Sequence, residues 1–405
     1  MGQLLSHPLT EKTIQYNDYK DHRPSTQVSS LSPRFFNCIG SMQGYRLTQE
    51  DAHMIINEDD SIHLQFYNPF RDKIETYILS LFAVFDGHGG SDCSAFLSGG
   101  KDDGGYNPKS GLAKWVTYAF ENHHYGAVGL HYVGDINTVI RSKSKNNDDD
   151  GRIKRVFRTL EGLISQIFKD AYILQDNELY KHFANSTCGS TGVMAAIING
   201  EMVYVVNCGD SRCIMSSKND GIKTMSYDHK PQHIGELLRI NDNGGTVSLG
   251  RVGGVLALSR AFSDFQFKRG VQYNNQNRRN VKGNYINNLS IAPQEAQVTV
   301  EPDVLMHKID YKKDEFLVLA CDGIWDVYSN KQLIRFIKYH LTQGIKLDGI
   351  IPKLLDHGIA QANSSTGVGF DNMTAIIIVL NKNGESLTDW YTKMKIRLER
   401  EKGLI

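Results

Sequence analysis

Four aspartates stand at the edges of strongly apolar runs. Asp86 follows Leu-Phe-Ala-Val-Phe, Asp210 follows Val-Val-Asn-Cys-Gly, and Asp322 follows Leu-Val-Leu-Ala-Cys. Asp371 lies just before the apolar run that begins at Met373. Burying one carboxylate is costly, and burying several together costs more unless cations neutralise them. Because oxygen-only ligands favour magnesium or manganese over zinc, these positions are candidate ligands for such an ion.

An ordinary structural explanation is also open for each aspartate. Asp86 and Asp322 are each followed by glycine, and the Asp-Gly pair is common in turns. A further acidic pair, Glu50-Asp51, precedes another apolar run, which makes coincidence less attractive. The aspartate pattern by itself does not show that these side chains converge.

The elements that must position these residues are short strands and amphipathic helices. Tyr77 to Phe85 is typical of a buried strand, and Asn199-Gly200 separates two β-rich runs as a type I′ hairpin turn does. A second hairpin is expected around 219–221, further strands at 316–320 and 374–380, and helices at 157–183, 232–243, 330–343, 350–362 and 387–402. Hairpins without regular βαβ alternation predict an α+β fold, with antiparallel sheets covered by helices.

Composition restricts the classes of partner and compartment. Lysine plus arginine and aspartate plus glutamate both total 45, so no basic excess suggests a nucleic-acid partner. The six cysteines include no CxxC pair, so a zinc ribbon or thioredoxin-like motif is not expected. Several lie inside apolar runs as free cysteines do, which indicates a reducing compartment. The longest apolar stretch, 77–85, is too short to span a bilayer. We expect a cytoplasmic protein, and nothing in the sequence demands more than a monomer.

The first six residues, Met-Gly-Gln-Leu-Leu-Ser, fit the N-myristoylation pattern, with Gly2 as the acceptor. A chance match to so short a pattern is the alternative. Because one myristoyl chain binds membranes only marginally, attachment through Gly2 is expected to be weak and reversible. The predicted localisation is therefore cytoplasmic with partial membrane association.

Longer motifs carry a family resemblance. The segments 40–53 (Gly-Ser-Met-Gln-Gly-Tyr-Arg-Leu-Thr-Gln-Glu-Asp-Ala-His) and 84–90 (Val-Phe-Asp-Gly-His-Gly-Gly) resemble the first two signature motifs of the type 2C protein phosphatases, the PPM family. Later motifs follow in the family's order at 188–191, 207–212, 228–231, 250–252, 258–262, 320–326 and 369–374. The resemblance covers about residues 36 to 382 and is strongest to fungal members.

The resemblance implies a fold and an organisation. The expected fold is an α-β-β-α sandwich of two antiparallel sheets flanked by helices. An N-terminal arm would occupy 1–35, the phosphatase domain 36–382 and a C-terminal helical tail 383–405. The domain would carry insertions near 99–156 and 270–296.

The resemblance also implies an activity and a cofactor. It predicts hydrolysis of phosphoserine and phosphothreonine in phosphorylated protein substrates. The nucleophile would be a water activated by two Mg²⁺ or Mn²⁺ ions, since paired divalent ions can lower the pKa of a shared water. Asp86, Asp322 and Asp371, with Glu50 alongside, would hold this centre, and Gly87 would offer its carbonyl oxygen.

Other site roles follow from the same resemblance. Asp51 would stand behind the metal ligands, and Asp210 and Asp326, with Asp322 again, would form a third, weaker metal position.

The phosphate would be held by Arg46, since a guanidinium suits a dianion. His88 would protonate the leaving oxygen as a general acid. For Arg46 the alternative is a surface ion pair with Glu50, and for His88 it is a buried structural role with a hydrogen bond to a carbonyl.

Three other functions are alternatives to metal-dependent phosphatase activity. A catalytically inactive scaffold that binds phosphoproteins is disfavoured because the expected ligand positions are intact. An aspartyl-phosphate enzyme is disfavoured because Asp86 is followed by Gly-His. A calcium module is disfavoured because 241–245 lacks EF-hand spacing. Ser263 departs from the family's usual glycine, from which we expect altered packing without loss of activity.

Overall fold

The computed structural model describes residues 4–18, 35–57, 60–99, 110–128, 155–271, 291–382 and 384–403. Gly2 lies outside the described residues, and so does most of each predicted insertion. The strands are β1 (Leu4–Asn17), β2 (Asn37–Arg46), β3 (Ala52–Ile56), β4 (Ile62–Asn68), β5 (Lys73–Phe85), β6 (Gly87–His88), β7 (Tyr125–Ala127), β8 (Arg155–Phe157), β9 (Gly189–Ser190), β10 (Gly192–Ile198), β11 (Met202–Cys208), β12 (Arg212–Ser217), β13 (Gly221–Thr224), β14 (Val247–Ser248), β15 (Arg251–Val252), β16 (Phe262–Ser263), β17 (Asp303–Lys308), β18 (Asp314–Ala320) and β19 (Met373–Val379).

The helices lie between and after these strands. They are α1 (Asp92–Ser98), α2 (Gly111–Glu121), α3 (Leu160–Phe183), α4 (Ile234–Asp242), α5 (Asp322–Trp325), α6 (Asn330–Thr342), α7 (Leu347–Ala360) and α8 (Leu387–Glu401), with short 3-10 turns at Phe265–Phe267 and Pro293–Glu295. Within the described parts of the chain, no helix combines the length and apolar character needed to cross a bilayer.

Two six-stranded antiparallel sheets form the centre of the fold. The first has the order β1-β2-β19-β18-β12-β13. The second has the order β17-β11-β10-β5-β3, and β4 also pairs with β5. Helices α6, α7 and α8 pack with the first sheet and α1, α2 and α3 with the second. The predicted α-β-β-α sandwich of two antiparallel sheets flanked by helices is confirmed.

The apolar sequence at the end of strand β5 is explained by burial on both faces of the strand. Successive side chains of a strand point to opposite faces, and both faces of β5 are covered. Phe82 and Val84 join the core shared by the two sheets, whereas Leu81, Ala83 and Phe85 pack toward the outer helices. Each of these five side chains is fully buried. The strand therefore holds its last residue, and the aspartate after it, in a fixed position.

The predicted hairpins are present with the expected turn chemistry. Asn199 and Gly200 have φ of 53° and 68°, as a type I′ turn between β10 and β11 requires. Asn219 and Asp220 have φ of 57° and 53° between β12 and β13. These turns fix the register of four strands.

The N-terminal segment differs from the expected arm. Residues 4–17 form β1, an edge strand of the first sheet, with Leu4 opposite Arg46 and Asn17 opposite Asn37. The polar sequence obscured this strand because an edge strand buries little: its side chains are exposed or half-buried, and Ile14 is one that packs against the core. β1 is thus part of the first sheet and not a separate arm.

The C-terminal helix is also part of the packed structure. Trp390, Met394 and Leu398 on α8 are buried in the core beneath the first sheet. Arg397 of the same helix donates to the fully buried Glu315 of β18 at 3.2 Å. The predicted C-terminal tail is therefore a helix whose apolar face packs into the core of the first sheet.

Candidate metal centre and catalytic cleft

Three aspartates from both sheets meet at one end of the sandwich. Asp86 directly follows β5, Asp210 follows β11, and Asp322 opens α5 just after β18. One carboxylate oxygen from each lies within 4.8 Å of the other two. The backbone N–H of Asp322 also donates to Asp86 Oδ2 at 3.4 Å. The sandwich therefore brings together residues up to 236 positions apart in the sequence.

The negative charge of these three aspartates is only partly balanced by a nearby cation, the ammonium of Lys230. Burial, and then the negative charge of Asp322, raises the pKa of Asp86 well above its usual value. Burial, followed by Asp210, does the same to the pKa of Asp322, although the ammonium of Lys230 opposes the effect. A cluster of oxygen donors with excess negative charge suits hard divalent cations. These residues therefore fit the Mg²⁺ or Mn²⁺ that the family resemblance implies.

Asp51 lies close to Asp86. Ligand atoms of Asp51, Asp86 and Cys321 are all within 4.8 Å of one another. The Thr374 hydroxyl donates to Asp51 Oδ2 at 2.6 Å, while burial raises the pKa of Asp51 to about 7. Burial also raises the pKa of the Cys321 thiol well above its usual value, so this sulfur is a neutral neighbour of the carboxylates.

Glu50 and Gly87 form the adjacent wall of the cleft. The Glu50 carboxylate accepts a hydrogen bond from Thr48 Oγ1 at 3.0 Å. Its backbone carbonyl accepts one from Ser94 Oγ at 2.5 Å. A Cβ on Gly87 would lie closer than 3.0 Å to that carbonyl and to the Ser94 hydroxyl. Only glycine therefore fits where the chain passes from Asp86 to His88.

Arg46 ends β2 and forms an ion pair with Asp371. Its predicted alternative partner was Glu50, which lines the same cleft. Burial raises the pKa of Asp371, and the guanidinium of Arg46 partly offsets this rise. The Arg46 side chain remains 41% exposed, so its guanidinium is accessible from the cleft.

His88 is held by a residue that the motif analysis gave no role. Its Nε2 lies 2.7 Å from Oδ2 of Asp264, whose side chain is only 2% exposed. Burial disfavours the imidazolium, but the charge of Asp264 outweighs it and raises the pKa of His88. Asp264 and the preceding Ser263 have φ of 48° and 60°, a conformation that favours glycine. The sequence did offer a signal for Asp264, because this acidic residue lies two positions after the 258–262 motif.

Lys230 was also given no role in the sequence analysis. Its ammonium forms an ion pair with Asp210, whose side chain is 4% exposed. Burial works against the charge on Lys230, yet Asp210 and Asp322 together raise its pKa. A lysine of the 228–231 motif therefore pairs with the buried Asp210.

A cleft of about 620 Å³ opens over this group. Its lining includes the candidate residues Arg46, Glu50, Asp86, Gly87, His88, Asp210, Asp322 and Asp371, together with Arg251, Val255, Leu256, Ala257 and Leu258. The arrangement offers oxygen ligands at the floor and both a guanidinium and an imidazole at the wall. A phosphate ester bound here would meet groups suited to its charge and to its departing oxygen.

Comparison with known proteins decides the family. The profile of the family described as Protein phosphatase 2C matches residues 99–367. A curated relative from Saccharomyces cerevisiae, Protein phosphatase 2C homolog 4, is 68% identical over 415 residues, covering 100% of both chains. The chain belongs to the protein phosphatase 2C family. By that membership this 2C phosphatase is an enzyme, a protein phosphatase.

Solved structures with low sequence identity agree with the 2C phosphatase fold. A C. elegans sex determining protein aligns with a TM-score of 0.57 at 20% identity, covering 94% of this chain and 71% of that one. A phosphatase from a pathogenic strain of Toxoplasma gondii aligns with a TM-score of 0.56 at 20% identity, covering 91% and 95%. At this identity the alignments concern the fold alone.

Not every predicted ligand of this 2C phosphatase joins the two close groups. Among the described residues, those groups are Asp86-Asp210-Asp322 and Asp51-Asp86-Cys321. The predicted ligands Glu50, Asp326 and Asp371 lie outside both groups.

Proposed function

We propose that this protein hydrolyses phosphoserine and phosphothreonine in phosphorylated proteins, at a centre of two Mg²⁺ or Mn²⁺ ions. The observation that carries the proposal is the convergence of Asp86, Asp210 and Asp322, whose oxygens lie within 4.8 Å at the floor of a cleft. Divalent cations would neutralise the negative charge of this cluster. Arg46 and His88 line the same cleft.

The metal ions would be held by the carboxylates at the cleft floor. Asp86 and Asp322 are the central candidates, with Asp371, Glu50 and the carbonyl oxygen of Gly87 completing the set. When bound, the ions would neutralise the carboxylates and lower the pKa of a coordinated water. Asp51, which lies close to Asp86, would influence that ligand through its charge.

The substrate phosphate would be bound by Arg46. Its guanidinium can present two N–H donors to phosphate oxygens, which a lysine cannot do in the same plane. Arg46 is paired with Asp371, so binding would shift or share this ion pair. A phosphate dianion would thereby be fixed above the carboxylate floor.

The leaving oxygen of serine or threonine would be protonated by His88. An alkoxide is a poor leaving group, so a proton donor is needed at that oxygen. Asp264 accepts at His88 Nε2, which fixes the ring and stabilises its protonated form. Asp264 is therefore a positioning residue for the proton donor.

The decisive experiment is phosphate release from a phosphothreonine peptide by the purified protein, with Mn²⁺, with Mg²⁺ and with EDTA. Asp322→Asn is compared with the parent, and thermal unfolding verifies that both are folded. Metal-dependent turnover that is lost in Asp322→Asn is the expected result. Turnover that persists in EDTA would refute the metal mechanism. A folded protein without turnover under any metal would favour the inactive phosphoprotein-binding scaffold.

The remaining proposals concern the surroundings of this centre. We propose a third, weakly held ion between Asp210, Asp322 and Asp326. Acylation of Gly2, with weak and reversible membrane association of a cytoplasmic monomer, also stays a prediction. Mass spectrometry of the protein from its native cell would test the acylation directly.

A further inference from the structure

A charged lysine lies within the acidic group where the third ion is expected. The ammonium of Lys230 forms an ion pair with Asp210. A carboxylate oxygen of Asp210 also lies within 4.8 Å of one of Asp322, a second proposed ligand of the third ion. The ammonium therefore lies beside a carboxylate that a third ion would need as a ligand.

The backbone around Lys230 is tied to the loop that carries Asp210. The N–H of His229 donates to the Gly209 carbonyl at 3.0 Å, and the N–H of Gly209 donates to His229 Nδ1 at 3.1 Å. Arg212 donates to both carboxylate oxygens of Asp228, at 2.9 and 2.8 Å. The lysine thus starts from a fixed point beside its partner, which reduces the entropy lost when the ion pair forms.

The lysine side chain nevertheless has a route out of the site. It is 29% exposed, whereas the side chain of Asp210 is 4% exposed. A lysine has a flexible four-carbon stem, so its ammonium can move to solvent without moving the backbone. Asp210 has no such freedom. Of the two partners, Lys230 is the one that can leave.

We propose that Lys230 is a built-in competitor for the third cation. Its ammonium neutralises Asp210 when two metal ions are bound, and a third divalent ion binds only after the ammonium moves away. The weakness of the third position is then a property of this lysine, not of a poor ligand set. This inference rests on the proposed metal centre and concerns how many ions it holds.

The test is a count of bound Mn²⁺ by electron paramagnetic resonance of the free ion, using the full chain after removal of metal with EDTA. Lys230→Met removes the charge and keeps the length of the side chain. Lys230→Arg keeps the charge, and Lys230→Gln is a second neutral variant in case the methionine destabilises the fold. The double variant Lys230→Met with Asp326→Asn removes one proposed ligand of the third ion.

The parent and Lys230→Arg are expected to bind two ions at a free Mn²⁺ concentration at which Lys230→Met and Lys230→Gln bind three. The third ion should bind the neutral variants at least about tenfold more tightly than the parent, since one competing charge at ion-pair distance is removed. The double variant should return to two ions.

Two results would overturn the competitor role alone: three ions in the parent at the same concentration, or two ions in both neutral variants. A parent that binds no Mn²⁺ would instead refute the proposed metal centre, and the competitor role with it. Thermal unfolding of each variant in EDTA serves as the folding control. Because the main readout is binding stoichiometry, loss of turnover in a variant does not affect the conclusion.

Discussion

Replacing Asp264 with asparagine is expected to slow hydrolysis of a phosphothreonine peptide about 10- to 100-fold, while hydrolysis of p-nitrophenyl phosphate falls much less. The aryl leaving group is stable as an anion and needs little help from a proton donor. The threonine alkoxide needs that help. The difference between the two substrates therefore isolates the step in which His88 acts.

The magnitude comes from one hydrogen bond. Asp264 Oδ2 lies 2.7 Å from His88 Nε2, and the Asp264 side chain is 2% exposed. A hydrogen bond to a charged group contributes about 1.5–3 kcal/mol, which is roughly one to two powers of ten in rate. The asparagine also removes the charge that raises the pKa of His88, so less of the histidine is protonated at neutral pH.

The assay measures kcat and KM for both substrates at saturating Mn²⁺. Gly189→Ala is a companion variant, because its added Cβ would lie closer than 3.0 Å to both Asp264 Oδ2 and His88 Nε2. It disturbs the pair without removing a functional group, and it should show the same substrate dependence. Gly235→Ala is the matched control, since a Cβ there meets nothing within 4 Å.

The reasoning would fail if Asp264→Asn slowed both substrates equally with the fold intact. Equal loss would mean that Asp264 supports the cleft as a whole and not the proton donor. A peptide kcat within twofold of the parent would also contradict the prediction.

Three further predictions concern stability. Although burial opposes it, ion pairs with two arginines lower the pKa of Glu236 to about 2. At pH values above the unfolded pKa of Glu236, this carboxylate should add about 3 kcal/mol to the free energy of unfolding. That contribution is lost as the pH falls through about 2. Urea unfolding of Glu236→Gln should thus show a deficit at pH 7 that shrinks below pH 4; a pH-independent deficit would contradict this. In EDTA, Asp322→Asn should raise the free energy of unfolding at pH 7, because burial and the charge of Asp210 raise the pKa of Asp322 and so disfavour its carboxylate in the folded protein. If Asp322→Asn is no more stable than the parent in EDTA, the carboxylates of Asp322 and Asp210 do not repel each other enough to destabilise the fold. Arg397→Met should destabilise the fold by about 2 kcal/mol, less than a fully broken buried pair, because Lys338 still contacts Glu315 at 2.9 Å. Calorimetry tests this value, and an unchanged midpoint would mean that the ion pair of Arg397 with Glu315 adds no net stability.

The fold was largely predictable because local signals were strong. Tyr77 to Phe85 could be assigned as a strand from its apolar length, and the structure extends it back to Lys73. Asn199-Gly200 specified its turn through backbone conformation alone. Such signals depend on neighbours in the chain. β1 lacked them, since its stability comes from pairing with β2, a contact that no local pattern records.

The site was predictable in part for a related reason. Residue types at strand ends suggested where Asp86, Asp210 and Asp322 belong, and family motifs suggested their roles. The partners of those residues were not predictable, because an ion pair joins positions far apart in sequence. His88 and Asp264 are 176 positions apart, and Arg46 and Asp371 are 325 apart. Only the packed sandwich brings them together.

The edge strand β1 has a consequence for any shortened form of this phosphatase. A chain that began at residue 36 would expose the whole edge of β2, whose free N–H and C=O groups could pair with another molecule. The same loss would release the end of β2, where Leu4 lies opposite Arg46. Self-association and weaker phosphate binding should therefore appear together in such a shortened protein.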